Sequence, residues 1–169
     1  MKIIYLTHSD LRKWKGHHRA TSQKLKSLKR LVKNLIVVSS KFRKYKFLEL
    51  FYLEFKCISL IMKHNPDAII SRGYVGYLVQ KFAKFRKIIT VREVHADIVQ
   101  EINQYDKSYL IRKMLLPFGY YVRVIDRQSD IRIFNHPKLK NWFKNKFKNI
   151  KNNKDIFAYN GFDYTENSS

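Results

Sequence analysis

A chain of 169 residues fits one core, since single domains hold ~100–200 residues, and it leaves no room for a second full domain within it. Its 45% hydrophobic and 15% aromatic content, with 12 Phe and 11 Tyr, suffices for a packed interior and excludes a disordered basic tail. Charge is lopsided: 35 Lys plus Arg against 13 Asp plus Glu give +22, which asks for a polyanion nearby without choosing among nucleic acid, an anionic bilayer and a phosphorylated substrate.

Taken in chain order, strand and helix signals alternate. Met1 to Leu6 is too short an apolar run for a signal peptide, and Lys2 to Thr7 reads as a first strand. Thr21 to Lys33 places Leu25, Leu28, Leu31 and Val32 at helical spacing, with Lys and Arg on the other face. Leu35 to Ser39 is a β-branched strand. Tyr45 to His64 reads as a long helix closed by Asn65-Pro66, because the residue before proline avoids the helical region. Within it Lys46, Glu49, Glu54 and Lys56 interrupt the apolar run, so a buried or surface-docked helix fits better than a membrane span.

Asp67 to Ser71 predicts a third strand, Arg72-Gly73-Tyr74 a turn, Val75 to Phe85 a helix and Lys87 to Glu93 a fourth strand. Asp97 to Tyr105 reads as a loop or short helix. Tyr109 to Arg127 is helical in pattern, with Pro117 expected to kink or divide it. Ile131 to Asn135 is a fifth strand, His136 to Phe147 a helix with proline in its first turn, and Asp155 to Tyr159 a sixth strand before the turn Asn160-Gly161. This alternation predicts an α/β fold, a Rossmann-like doubly wound and mostly parallel sheet spanning residues 1–164, with 165–169 a tail or the start of a linker. In such sheets ligands sit at the carboxyl ends of the strands. Functional residues are therefore sought just after each strand.

Several segments qualify. Lys15-Gly16-His17-His18-Arg19 follows the first strand and precedes a helix, so it reads either as a phosphate loop, with Gly16, His17 and Arg19 near the anion, or as a simple turn. Arg72, Gly73 and Tyr74 follow the third strand. Glu93, His95 and Asp97 close the fourth, where His95 is a general base or orients a sugar hydroxyl, or else is a structural histidine bonded to backbone. His8, His17, His18 and His136 invite a metal reading, but the adjacent histidines at a helix start do not share a face, and Cys57 is alone and set in an apolar run, so neither a metal nor a disulfide is expected. Between Asp10 and Glu49 there is no acidic residue. Lys24, Lys26, Lys29, Arg30, Lys33, Arg43 and Lys44 in that interval read as a solvated face or as a membrane-surface basic patch, with Phe42, Tyr45 and Phe47 dipping into the interface.

The opening strand, the glycine-containing loop, the basic first helix, Pro66-Asp67-Ala68-Ile69-Ile70, Thr90-Val91-Arg92-Glu93-Val94-His95 and Ile156-Phe157-Ala158-Tyr159-Asn160-Gly161-Phe162-Asp163 occur in an order that resembles the N-terminal, acceptor-side domain of family-4-type GT-B glycosyltransferases. The strand Asp130-Ile131-Arg132-Ile133-Phe134-Asn135 resembles the one before that family's interdomain region. The resemblance implies transfer of a sugar, with retention, from a nucleotide-sugar donor to a saccharide or lipid-linked acceptor in surface-polysaccharide or glycolipid synthesis, with no cofactor or metal. It matches His95 to a cleft histidine near the donor sugar, Gly16 to a loop near the donor phosphates, and Asn160, Gly161 and Asp163 to the connection into a donor-binding half. That half lies outside these residues, as do its Arg/Lys and glutamate pairs, and the first loop has one glycine where the family has two. The chain alone is therefore expected to bind donor weakly and to need a C-terminal donor-binding chain or domain. It is expected in the cytoplasm, peripheral at the inner face of the cell membrane. Two further readings remain: a non-catalytic anchoring subunit of a split glycosyltransferase, and a basic nucleic-acid-binding protein.

Overall fold

Runs rich in Ile, Val and Leu alternate with helices, and strands so separated meet in parallel, because each parallel pair needs a crossover of a dozen or more residues. The described residues of the computed structural model are 1–12, 16–40, 46–104, 108–147 and 154–158, without the side chains at 16–18 and 46–47. Along the chain run β1 (Lys2–Thr7), α1 (Gly16–Leu31), β2 (Asn34–Ser39), α2 (Lys46–His64), β3 (Ala68–Arg72), α3 (Tyr77–Phe85) and β4 (Ile89–Val94). They continue with α4 (Ile98–Gln104), α5 (Tyr109–Gln128), β5 (Ile131–Phe134), α6 (Pro137–Lys146) and β6 (Lys154–Phe157). The strands form one parallel six-stranded sheet in the order β2-β1-β3-β4-β5-β6. This is the Rossmann-like doubly wound architecture expected. Strand order reverses between β1 and β3, where the loops leaving the two strands diverge and open a crevice at their carboxyl ends.

Two local features differ from the sequence reading, and α4 takes the helical one of the two alternatives read there from Asp97 onward. The glycine loop expected after β1 is already helix: α1 starts at Gly16 rather than Thr21. Residues 97–105 contain a helix, α4, whose first amides are met by Asp97: its carbonyl accepts from the Glu101 amide and its carboxylate from the Val99 amide. Pro117 does not divide α5, which runs unbroken from Tyr109 to Gln128. Proline removes the bond to the carbonyl four residues back, and both Pro117 and Lys113 are exposed residues, on the side of the helix where water can replace a lost bond.

Register puts alternate residues on opposite faces. Ile4, Leu6, Val38 and Ile69 point to the face covered by α2 and α3, where they pack with Leu53, Cys57, Ile61, Val79 and Ala83. Burial pushes the Cys57 thiol up to about 12, so it stays protonated and serves as core. Farther along the same face Phe134 packs on Phe143 of α6. The opposite face carries α1. The row Tyr5, Ile70, Val91, Ile131 and the row Thr7, Arg72, Glu93, Ile133, Ile156 lie there. Tyr5 and Thr7 are buried, whereas Ile70, Val91, Ile131, Ile133 and Ile156 are half-buried and Ile89 is exposed.

Helix α2 is apolar on two sides. Leu53 and Ile61 are fully buried, while Leu48, Phe51, Phe55 and Met62 face outward. Leu53→Ala should lower unfolding free energy by about 2–5 kcal/mol, and Leu48→Ala by no more than about 0.5, as read from urea midpoints. Equal losses would contradict this packing.

Candidate functional site

The carboxyl ends of β1, β3 and β4 enclose a cleft of about 240 Å³, lined by His8, Arg72 to Tyr74, Arg92 to Ala96, Ile98, Glu101, Val122 and Asp126. Glu93 is the most heavily bonded of these. That side chain is buried, and its neighbour in the same cross-strand row is Arg72, whose Nη1 donates to Oε2 at 3.4 Å. Tyr5, on the same face of β1, donates its hydroxyl to Oε2 at 3.2 Å, and the Lys24 ammonium of α1 reaches Oε1 at 3.0 Å. His95 Nε2 lies 3.4 Å from Oε2.

Burial works to raise the Glu93 pKa, but the His95 hydrogen bond and the charges of Lys24 and Arg72 outweigh it and hold the carboxyl at about 2. Burial also lowers the His95 pKa below its ordinary value, with Arg72 and Lys24 adding to the effect against the pull of Glu93. The pair at neutral pH is therefore a carboxylate and a neutral imidazole. An ionised Glu93 only accepts, so Nε2 carries the ring proton and Nδ1 keeps a lone pair, able to accept a hydroxyl's hydrogen bond or its proton. Glu93 itself, bonded on every side, orients and does not serve as a base.

Backbone shape brings the β3 loop against this group. Gly73 has φ +82°, and a Cβ there would stand 1.7 Å from His8 Nδ1, so glycine is required twice over. The His8 ring lies 4.5 Å from the Tyr74 ring, and Tyr74 meets Phe118 of α5 edge-on at 5.1 Å. Arg92, 1% exposed, ties the loop down: Nη1 donates to the Val75 carbonyl at 2.9 Å, Nη2 to the Gly73 carbonyl, and Nε to Asp126 of α5 at 2.7 Å. The loop's amides go elsewhere. Glu54 of α2 accepts from the Gly76, Tyr77 and Val79 amides, so the start of α3 is already occupied by a carboxylate and is not a phosphate site.

The structure thus brings Arg72, Gly73, Tyr74, Glu93 and His95 into one cleft. Asp97 turns away from it, its carboxylate meeting Arg123 Nε at 2.8 Å and Nη2 at 2.5 Å. Gly16 begins α1, the His17 side chain is outside the described residues, and Arg19 is exposed on that helix. Of the basic patch, Lys26, Lys29, Arg30 and Lys33 are exposed, whereas Lys24 departs from the expected outward placement and points inward to Glu93. Arg43, Lys44, Asn160, Gly161 and Asp163 lie outside the described residues. Sequence reasoning passed over Tyr5, Glu101 and Arg92, and weighed His8 only as a metal ligand. Its position just after β1 was the available signal. Among the described residues no group of His, Cys, Asp and Glu is arranged to hold a metal ion.

Because its folded pKa is depressed, Glu93 contributes stability that is present above its ordinary pKa near 4.5 and is lost as pH falls toward about 2. The urea midpoint of the native chain should therefore fall more steeply between pH 5 and pH 2 than that of Glu93→Gln. Parallel pH profiles would remove these ion pairs from the stability of the fold.

Neither a protein-family model nor a curated protein matches this chain. Among solved structures it is similar to the S. aureus MnaA–UDP co-structure, with TM-score 0.56 and 15% identity over 94% of this chain and 43% of that one. Against UDP-N-acetylglucosamine 2-epimerase from Rickettsia bellii the TM-score is 0.49 at 12% identity, over 92% and 44% of the two chains. The chain spans less than half the length of either. The first likeness shows the fold, a GT-B-like Rossmann half, and does not single out family-4 glycosyltransferases.

Proposed function

We propose that this chain forms the acceptor-side wall of a cleft that uses a nucleotide-sugar donor, and that its activity is sugar transfer to a saccharide or lipid-linked hydroxyl. The observation that carries the reading is a neutral His95 held by an ionised Glu93 at the carboxyl ends of β3 and β4, beside the β1/β3 crevice. Sharing a fold with a protein solved with UDP supports the nucleotide-sugar part of it.

In this reading His95 Nδ1 accepts the hydrogen bond of the acceptor hydroxyl. The hydroxyl oxygen bonds to the anomeric carbon as its proton passes to Nδ1, the bond from that carbon to the donor phosphate breaks, the nucleotide diphosphate leaves, and the imidazolium returns the proton to that diphosphate or to water. Positive charge from Lys24 and Arg72, with the first amides of α1, favours the departing anion. A donor-binding half, on the same polypeptide or a separate chain, supplies the opposite wall. The family-4 type and retention of configuration belong to the same proposal.

Titrating the 15N-labelled chain with UDP should shift the amides of Gly73, Tyr74 and His95 and of the first turn of α1. With a donor-side half added, His95→Ala should lower transfer by about 10²-fold or more. Transfer that needs the added half but ignores His95→Ala would make the chain an anchoring partner. UDP shifts scattered away from the cleft would remove the nucleotide-sugar reading.

A further inference from the structure

Two exposed apolar surfaces meet outside the cleft. On α2, Leu48, Phe51, Tyr52, Phe55 and Met62 follow one another at helical spacing along the side away from the core, with Phe55 62% exposed. On α5, every residue from 109 to 118 is exposed or half-buried although this half of the helix is rich in apolar side chains, with Leu110, Ile111, Met114 and Leu115 exposed. From Gly119 onward α5 packs on Val99 and Ile102 of α4. The two surfaces join, because Leu50 and Phe51 of α2 and Phe118 and Tyr121 of α5, with Tyr77 and Leu78 of α3, line one groove of about 370 Å³.

The charges beside these surfaces are mostly of one sign. Lys56 lies 5.7 Å from the centre of the Tyr52 ring, Lys81 4.5 Å from Tyr77 and Lys113 6.0 Å from Tyr109. Helix α3 contains no acid, and neither does residues 109–118 of α5. On α2 the two acids are engaged, Glu49 by the Ser40 hydroxyl and Glu54, buried, by the amides that start α3. Aromatic and long aliphatic side chains with lysines alongside suit an interface where the apolar part enters acyl chains and each ammonium reaches back to the headgroups. A second copy of this chain suits it poorly, since both would carry +22.

The geometry points to the outer stripe of α2 and the first half of α5 as the surface by which this protein docks on an anionic lipid bilayer. It lies on the face of the sheet opposite α1. The exposed lysines of α1 cannot lie on the same plane, and Leu31 is the large apolar residue that α1 exposes. Among the described residues no helix is long and apolar enough to cross a membrane, so the contact is peripheral. Tyr74 and Phe118, whose rings touch, separate the groove from the cleft of Glu93 and His95, which places that cleft beside the docked surface.

The test is co-sedimentation of the full chain with vesicles of phosphatidylglycerol and phosphatidylcholine, without UDP, so that its result is independent of the sugar-transfer reading. The native chain should bind these vesicles and bind phosphatidylcholine alone far less. The double variant Phe55→Ser/Met114→Ser, altered at exposed positions, should lose at least about tenfold in partitioning with an unchanged circular dichroism spectrum. Lys26→Glu/Lys29→Glu on α1 should change it by less than about threefold, those charges being screened at that distance. The inference is overturned if the apolar variant binds as the native chain does, if the α1 variant alone abolishes binding, or if the native chain is a dimer that the apolar variant turns into a monomer. Binding to duplex RNA in preference to the anionic vesicles, untouched by the apolar variant, would overturn it equally.

Discussion

The carboxyl edge of this sheet depends on one buried guanidinium. Arg92 stands inside β4 with Asp126, the Gly73 carbonyl and the Val75 carbonyl as its partners. Removing a charge from water costs several kcal/mol unless every donor is met, so Arg92 is tolerated only while the β3 loop and α5 are both in place. From the other side Glu54 takes the amides of Gly76, Tyr77 and Val79. The loop is thus gripped by opposite charges, its carbonyls by a cation and its amides by an anion. Tyr74, held between them, sets one wall of the cleft, and Gly73 is free of a side chain where His8 must pass.

The same strand explains why the site has the chemistry it has. Adjacent residues of a strand point to opposite faces, so Arg92 and Glu93 send opposite charges into the two sides of one sheet. Arg92 is absorbed by structure. Glu93 is surrounded by Tyr5, Lys24, Arg72 and His95, and its field fixes the tautomer of the His95 imidazole in the cleft. The functional arrangement is a by-product of how a parallel sheet closes around buried charge, with the exposed end of that charge network at the crevice.

Much of the fold was legible in the residues because its signals are local. Asn65-Pro66 stops α2, β-branched runs mark β2 and β4, and Pro137 opens α6, so element order and a parallel, doubly wound sheet were readable from the alternation. Arg72, Gly73, Tyr74, Glu93 and His95 were found by position after a strand. What escaped was set by contacts across long sequence separations. Nothing near Lys24 announces that it turns toward Glu93, and nothing near Asp97 announces Arg123. The two apolar sides of α2 look alike as a pattern, and only neighbouring helices decide which is core.

The half-open isoleucine face of the sheet, beyond the reach of α1, bears on how this protein behaves in solution. Ile89 is exposed, and Ile70, Val91, Ile131 and Ile133 lie part-open beside it on a molecule carrying +22. At low ionic strength like charges keep such faces apart. As salt shortens the Debye length from roughly 30 Å at 0.01 M to about 3 Å at 1 M, that repulsion fades while the attraction between apolar faces does not. Colloidal stability should then decline with added salt.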